Sequence, residues 1–235
     1  MVDKIVGIHQ PNFMPWLGYF YKIWQSNTFI FLDDVQFIKT GSNYTNRVSL
    51  ILSAKESNIT IPIKRKSGIQ NINETEMLNE KWKKKLLGSL QANYAKTPYF
   101  KEHKEMVFEL ISFNASDLAS YNINFIQTIA KELKFKIKFI RSSNFKVKTD
   151  STQRLIELLN HVNATTYLSG SGGNNYQDTA LYAQHNIELL YNKMPPFEYK
   201  QYQIDNFIQG TSIVDAIFNV GLNNLKEQLF IPKEK

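Results

Sequence analysis

Short apolar segments that alternate with helical patterns are the feature that most constrains this fold. Each of five such segments is bounded by turn-forming residues, which is typical of buried strands. These predicted strands cover residues 4–9, 28–32, 135–140, 165–168 and 187–191. Helical spacing of apolar residues predicts helices over 18–25, 151–162, 178–185 and 211–219. Alternating strands and helices predict an α/β fold with a Rossmann-like, mainly parallel sheet that has helices on both faces.

The segment 45–133 interrupts this alternation. A hairpin is predicted from strands 47–52 and 58–64, and Pro62 makes its second arm an edge strand. Three helices are then predicted over 81–94, 100–112 and 116–133. We therefore expect one domain over 1–235, in which the hairpin and helical segment is inserted between the second and third parallel strands.

Composition excludes several classes of function and favours others. The 235 residues contain no cysteine, which excludes disulfides, thiolate nucleophiles and cysteine-ligated zinc. The N-terminus lacks the layout of a signal peptide, and no apolar run approaches the roughly 20 residues of a membrane span. We expect a cytoplasmic protein without a membrane span. The sequence contains no signal that fixes an oligomeric state.

The net charge of +7 predicts an anionic partner. A nucleotide sugar or another anionic small molecule is the partner we expect. Nucleic acid would explain the charge, but the sequence contains no basic and aromatic module of a known type. We therefore expect no nucleic acid partner.

Polar, turn-forming motifs follow four of the predicted strands. They are HQPN from His9, Asp33-Asp34, RSS from Arg141, and SGSGGNN from Ser169. The carboxyl ends of parallel strands meet at one edge of a sheet, and ligands bind at that edge in open α/β folds. The sequence therefore predicts the functional site there.

His9 is the candidate catalytic residue. An imidazole with an unperturbed pKa of about 6.5 can take a proton from an amine or hydroxyl nucleophile. The alternative is a buried histidine that bonds a backbone carbonyl. The other histidines lie on predicted helices without the spacing of metal ligands, so no metal site is predicted.

Five residues near His9 are candidates for substrate binding. Two prolines stiffen the turn that would orient Gln10 and Asn12. Trp16 and Tyr19 could stack on a base or sugar ring, although Trp16 could instead plug the loop. Gly18 would let a phosphate approach the start of a helix.

Two acidic residues and an arginine extend this set. Asp33 and Asp34 could bind sugar hydroxyls or Mg²⁺, or they could cap a turn, and the metal is the weaker reading. Arg47 could pair with phosphate or lie on the surface.

The glycine-rich loop after the fourth strand could cradle a phosphate or wrap a sugar. Short glycine and serine patterns are also plain connectors, and this one is neither a P-loop nor GxGxxG. The candidate binding residues in the loop are Ser169, Gly170, Ser171, Gly172, Gly173 and Asn174.

Four segments resemble, in order, the WbqC-like protein family. They are IHQPNFMPWLGYFYKI, FIFLDDVQF with a following NR, YLSGSGGNNY and SIVDAIFNVG, and together they cover nearly the whole chain. Genes of this family occur among those for surface polysaccharides, notably O-antigen of lipopolysaccharide. The resemblance therefore implies a role in making or modifying activated sugars, and it carries no catalytic role over to any residue.

The stretch FMPWLGY is also similar in its position to the signature of HxGH-type nucleotidylyltransferases, to which pantothenate synthetase is related. It is one residue shorter and lacks both signature histidines, with Tyr19 near the second. Those histidines contact nucleotide phosphates. The similarity thus favours a Rossmann-like fold more than nucleotidyl transfer.

The leading hypothesis is acyl or aminoacyl transfer to an amino sugar that is linked to a nucleotide. His9 would be the base, backbone N–H groups around Gly172 and Gly173 would bind the oxyanion, and Arg47 would hold the diphosphate. The sequence does not identify a cofactor; without cysteine, the acyl group of such a reaction would have to come directly from a thioester or adenylate donor, and Mg²⁺ is less expected. The alternatives are a nucleotidyltransferase or ATP-dependent ligase that uses Mg²⁺, and a non-catalytic scaffold for glycan assembly.

Overall fold

The computed structural model describes residues 4–38, 43–170, 172 and 177–231. Five parallel strands form the central sheet, in the spatial order β5-β2-β1-β6-β7. They are β1 (Ile5–His9), β2 (Thr28–Phe31), β5 (Lys138–Arg141), β6 (Thr166–Ser169) and β7 (Glu188–Tyr191). This arrangement confirms the predicted Rossmann-like parallel sheet.

Both faces of the sheet are covered. Successive side chains of a strand point to opposite faces, so Phe29 and Phe31 enter a large apolar cluster while Ile30 enters a smaller one. The large cluster also contains α1 (Leu17–Trp24) and α4 (Leu118–Glu132). The smaller cluster contains α5 (Ser151–His161) and α6 (Thr179–Gln184).

The inserted segment carries a separate antiparallel hairpin, formed by β3 (Arg47–Leu52) and β4 (Lys55–Thr60). The prediction placed the second arm at 58–64, which is wrong by about three residues. Ser53 and Ala54 both have positive φ, 54° and 56°, and make a tight turn that brings the second arm in earlier. Neither residue is the Asn or Gly that usually marks such a turn.

The inserted helices α2 (Lys81–Tyr94) and α3 (Phe100–Ser112) have their predicted bounds. The strand predicted at 135 begins only at residue 138, because the amide of Phe135 still bonds the carbonyl of Ala130 at the end of α4. Within the described ranges, none of the helices is long and apolar enough to cross a membrane.

Two C-terminal helices follow each other directly, α7 (Ile213–Val220) and α8 (Leu222–Gln228). The second was not predicted, because a glycine at position 221 is typical of a helix end. Gly221 has a φ of 85°, and a Cβ on it would lie 2.6 Å from the ring of Tyr99. The close approach of this ring therefore requires glycine at the junction.

Residues 192–212 form an irregular segment without a helix or strand, and we call this segment the strap. The strap runs from β7 to α7 and meets the loop that follows β1. Trp16 and Ser212 form a single antiparallel bridge, and the Ser212 hydroxyl donates to the carbonyl of Met14 over 2.8 Å. The strap therefore lies over the carboxyl ends of the strands.

Candidate functional site

A cavity of about 560 Å³ lies at the carboxyl ends of β1 and β6. The strand order reverses between these two strands, and in open α/β sheets ligands bind in the crevice at that point. Its volume falls in the range of small-molecule sites. The sheet side of the cavity is lined by His9, Trp16, Gly18, Tyr19, Lys22 and Gly170. The strap contributes Phe197, Tyr199, Phe207 and Gln209 among others.

His9 ends β1 and faces two aromatic rings. Its ring centroid lies 4.9 Å from that of Tyr19 and 6.4 Å from that of Trp16, both edge-on. Nδ1 is 3.1 Å from the carbonyl oxygen of Gln10. A carbonyl only accepts, so Nδ1 carries the proton and Nε2 keeps a free lone pair.

The protonation state of His9 follows from its surroundings. Burial, together with the nearby charge of Lys22, lowers the pKa of His9 to about 3. The imidazole is therefore neutral near pH 7. It can accept a proton only from a group that has become strongly acidic.

Tyr19 holds the same carbonyl from the other side. Its hydroxyl donates to the oxygen of Gln10 over 2.9 Å, and burial raises the pKa of Tyr19 well above its usual value. The Gln10 carbonyl thus receives two donors, which fixes both rings.

Gln10 and Asn12 do not line the cavity. The side-chain oxygen of Gln10 lies 3.4 Å from the hydroxyl of Thr45, and Asn12 is buried. The amide of Asn122 donates to the carbonyls of Pro11 and Thr45 over 2.8 and 2.7 Å, which anchors this loop from behind. The two candidates therefore shape the loop.

Lys22 lines the cavity and was missed in the sequence analysis. Only 2% of its surface is exposed, and its ammonium donates to the carbonyl of Ile8 over 2.7 Å. Burial lowers the pKa of Lys22 to about 7. Its position three residues after Tyr19, on the inward face of an apolar helix, was the signal that could have revealed it.

The first turn of α1 forms another part of the lining. Among the described side chains none caps this helix, whose first residues, Leu17 and Gly18, line the cavity. A Cβ on Gly18 would lie 3.0 Å from Nε1 of Trp16. Backbone N–H groups at such a helix start attract anions.

Asp33 and Asp34 lie elsewhere, between the ends of β2 and β5. The fully buried carboxylate of Asp33 accepts from the amide and the hydroxyl of Ser143 over 3.0 and 2.9 Å. Asp34 contacts the hydroxyl of Ser142 and pairs with Arg154 over 2.7 Å. These carboxylates are occupied by the protein itself, and neither of them lines the cavity.

Arg47 is exposed and lines a second, smaller cavity of about 270 Å³. Its Nε donates to the hydroxyl of Thr60 over 3.2 Å. Trp16, Gln209 and Gly210 line both cavities, so the two adjoin.

The glycine-rich loop is described in part. Ser169 is buried and accepts from the amide of Gln177 over 2.9 Å, while Gly170 lines the larger cavity. Gly172 has open space where a side chain would be. The candidates Ser171, Gly173 and Asn174 lie outside the described residues.

Asp215 on α7 is a second residue that the sequence analysis missed. Its fully buried carboxylate accepts from Tyr94 over 2.8 Å, from Tyr199 over 2.7 Å and from Gln201 over 3.0 Å. Burial raises the pKa of Asp215. Because Tyr199 lines the cavity, Asp215 positions the strap from behind.

Comparisons with known proteins identify relatives of this chain. The model of the WbqC-like protein family matches residues 10–227. The uncharacterized protein Rv1507c of Mycobacterium tuberculosis is 28% identical over 221 residues, which cover 93% of this chain and 94% of the relative. Among solved structures, a Zn(II)-bound AdcAII mutant variant of Streptococcus pneumoniae covers 97% of this chain and is itself covered in full, at 13% identity. Its TM-score is 0.20, too low to indicate a shared fold.

Proposed function

Since this chain belongs to the WbqC-like protein family, we propose that it is a cytoplasmic transferase of cell-surface polysaccharide biosynthesis. It would move an acyl or aminoacyl group to the amine of a nucleotide-linked amino sugar. One observation carries the proposal. A single cavity at the switch point of the sheet is lined by the neutral His9, by the uncapped start of α1 and by aromatic side chains.

The lining suits a ligand that has rings and phosphates. Trp16, Phe197 and Phe207 offer aromatic surface on which a base or sugar ring can stack. The N-terminus of α1 suits a diphosphate. A nucleotide-linked sugar combines these groups, and it is the acceptor substrate we propose.

In the chemical step, the neutral sugar amine attacks the carbonyl carbon of an acyl thioester. The N–C bond forms, the C–S bond breaks, and the thiolate leaves with the electron pair of that bond. The attacking nitrogen becomes strongly acidic once bonded to carbon, so Nε2 of His9 can take its proton despite the low pKa of this imidazole. The proton then passes to the thiolate.

We propose that the acyl donor binds in the second cavity. It adjoins the larger cavity at Trp16, and Arg47 on its wall can bind an anionic group of the donor. Two adjoining cavities fit a reaction of two substrates. The chain contains no cysteine to carry the acyl group, so direct transfer between the two cavities is expected.

The test is an assay of thiol release and of product mass, with UDP- and dTDP-linked amino sugars and a panel of acyl thioesters. Wild-type protein should transfer the acyl group of at least one thioester to at least one of these amino sugars. His9→Gln, which keeps a polar side chain without the base, should lower kcat at least about 100-fold. His185→Gln, at an exposed position beyond α6, is the matched control and should keep the wild-type rate.

Unchanged turnover in His9→Gln would remove His9 as the base. An absence of acylation with every pair would contradict the transferase, and nucleotide-sugar binding without turnover would then favour a scaffold.

Nucleotidyl transfer is the second candidate, and the Rossmann-like strand order with the uncapped α1 favours it. It predicts pyrophosphate release from ATP or CTP with Mg²⁺. The described residues contain no cluster of three acidic or histidine side chains that could hold a metal. A metal would therefore have to enter with the nucleotide.

A further inference from the structure

We propose that Lys22 forms a phosphate-binding subsite in the cavity, where its ammonium binds an oxygen of the nucleotide diphosphate. This inference rests on the proposed nucleotide-sugar function and adds to it the group that recognises the phosphate.

The geometry of Lys22 leaves donors for a ligand. An ammonium has three N–H donors, and the carbonyl of Ile8 takes one of them at 2.7 Å. This hydrogen bond fixes the position of the ammonium at the end of β1. Lys22 is 2% exposed and lines the cavity. The small accessible part of its side chain therefore faces a ligand in the cavity.

No carboxylate neutralises this charge within the part of the chain that the structure describes. The described lining of the cavity contains no Asp or Glu, and Lys22 takes part in no described salt bridge. Besides the carbonyl of Ile8, the ammonium faces the ring of Tyr167, whose centroid lies 5.9 Å away, and neither group carries a full negative charge. A buried cation without a counterion is costly. An anionic ligand would supply the missing charge.

Two positive groups converge on the same cavity. The start of α1 at Leu17 and Gly18 provides backbone donors, and Lys22, one turn further along the same helix, provides a full charge. Phosphate is the anion that suits this combination, because it can accept from backbone amides and from an ammonium at once.

The electrostatics give the subsite a pH signature. The pKa of Lys22 is about 7, whereas the pKa of His9 is about 3 and that of Tyr19 is well above its usual value. Burial also raises the pKa of Tyr199 on the strap. Among these groups that face the cavity, Lys22 alone changes its charge between pH 7 and pH 9. A phosphate is already fully ionised there, since its second pKa is about 6.

The experiment is calorimetric titration of the full chain at pH 7 and pH 9 with matched pairs of UDP and uridine, dTDP and thymidine, and ADP and adenosine. At pH 9 the free Lys22 has lost its proton and must regain it to bind phosphate. The Kd of the best nucleoside diphosphate should therefore rise at least about tenfold between pH 7 and pH 9. The Kd of its nucleoside should stay constant.

Lys22→Met removes the charge and keeps an unbranched side chain that is one heavy atom shorter. It should weaken diphosphate binding at pH 7 about tenfold or more, abolish the pH dependence and leave nucleoside binding unchanged. Lys85→Met removes the same charge from an exposed position of α2 and should behave as wild type.

The inference is overturned if no diphosphate binds better than its nucleoside, or if wild-type binding shows no loss between pH 7 and pH 9. It is also overturned if Lys22→Met keeps the wild-type affinity and pH profile. Turnover is not measured in this titration. Lys22-dependent phosphate binding without acyl transfer would therefore contradict the transferase and leave the subsite standing.

Discussion

Two polar clusters at the same edge of the sheet differ in how their charges are compensated. Between β2 and β5, Asp33 and Asp34 are bonded by two serines and Arg154. Between β1 and β6, Lys22 has no acidic partner among the described residues, and His9 keeps a free nitrogen. The first cluster supplies its own counter-groups, and we propose that a ligand supplies them in the second.

This difference distinguishes polar residues that stabilise the fold from polar residues that we propose bind a ligand. Removing a buried charge that the protein has paired leaves its partners unpaired and destabilises the fold, whereas a buried charge without a counter-charge itself costs stability, and we infer that such a charge is retained for a ligand. Both clusters follow buried strands and look alike in the sequence. The partner atoms distinguish them, and substitutions should affect stability in opposite directions.

Asp33→Ala should produce the largest effect. It removes a fully buried acceptor of the amide and hydroxyl of Ser143 and leaves those donors without a partner. We expect a loss of about 4 kcal/mol in the free energy of unfolding, measured by urea denaturation. Asp205→Ala, at an exposed position of the strap, is the control and should change stability by less than about 0.5 kcal/mol. A small effect of Asp33→Ala with retained fold would mean that this cluster too is kept for a ligand.

Lys22→Met should act in the opposite direction and stabilise the protein by about 3 kcal/mol at pH 6, because removal of the buried charge gains about 4 to 5 kcal/mol and loss of the hydrogen bond to Ile8 costs about 1 to 2 kcal/mol. The pKa is about 7 in the folded protein and 10.5 ordinarily, so between these values the unfolded chain binds the proton that the folded chain has lost. Wild-type stability therefore rises with pH through this window, and the advantage of Lys22→Met shrinks. Urea denaturation of wild type and variant at pH 6 and pH 9 measures the free energy of unfolding of each protein and the difference between them. If Lys22→Met is instead less stable than wild type at pH 6, Lys22 stabilises the fold, as Asp33 and Asp34 do.

Asp215→Asn should have an intermediate effect of about 2 kcal/mol of destabilisation at pH 4, because an amide cannot accept from Tyr94, Tyr199 and Gln201 together. Burial raises the folded-state pKa of Asp215 above 3.8. The stability that this carboxyl contributes is therefore complete below pH 3.8 and falls as pH rises through the higher folded-state pKa. The difference in free energy of unfolding between wild type and Asp215→Asn should therefore become smaller as pH rises. A difference that widens with pH would contradict the raised pKa.

The sequence was sufficient to predict the sheet and some of the residues that line the candidate cavity. Apolar runs and helical spacing are local signals, and they placed the parallel strands, α2 and α3. The motifs after the strands placed His9, Trp16, Gly18, Tyr19 and Gly170 at the carboxyl edge of the sheet, where all five line the candidate cavity.

The rest depends on contacts between distant parts of the chain. Ser212 bonds the carbonyl of Met14 across 198 residues, so the aromatic wall that the strap adds could not be inferred from local patterns. The hydroxyl of Ser143 donates to Asp33 from 110 residues further along the chain. The sequence therefore could not show that the hydrogen-bond acceptors of this carboxylate are already used by the protein. Lys22 and Asp215 were hidden on apolar helices, where a single charged residue is easily taken for a solvated one.

Arg47→Ala should give the smallest effect on stability, below about 0.5 kcal/mol, because this side chain is exposed and its described bond is to Thr60. Its consequence should appear in the kinetics. If the smaller cavity binds the acyl donor, the variant should raise KM for the thioester several-fold and leave KM for the nucleotide sugar unchanged, as measured by initial rates with each substrate varied in turn. A rise in KM for the nucleotide sugar instead would move the diphosphate to Arg47, and the division of the two cavities between two substrates would be reversed.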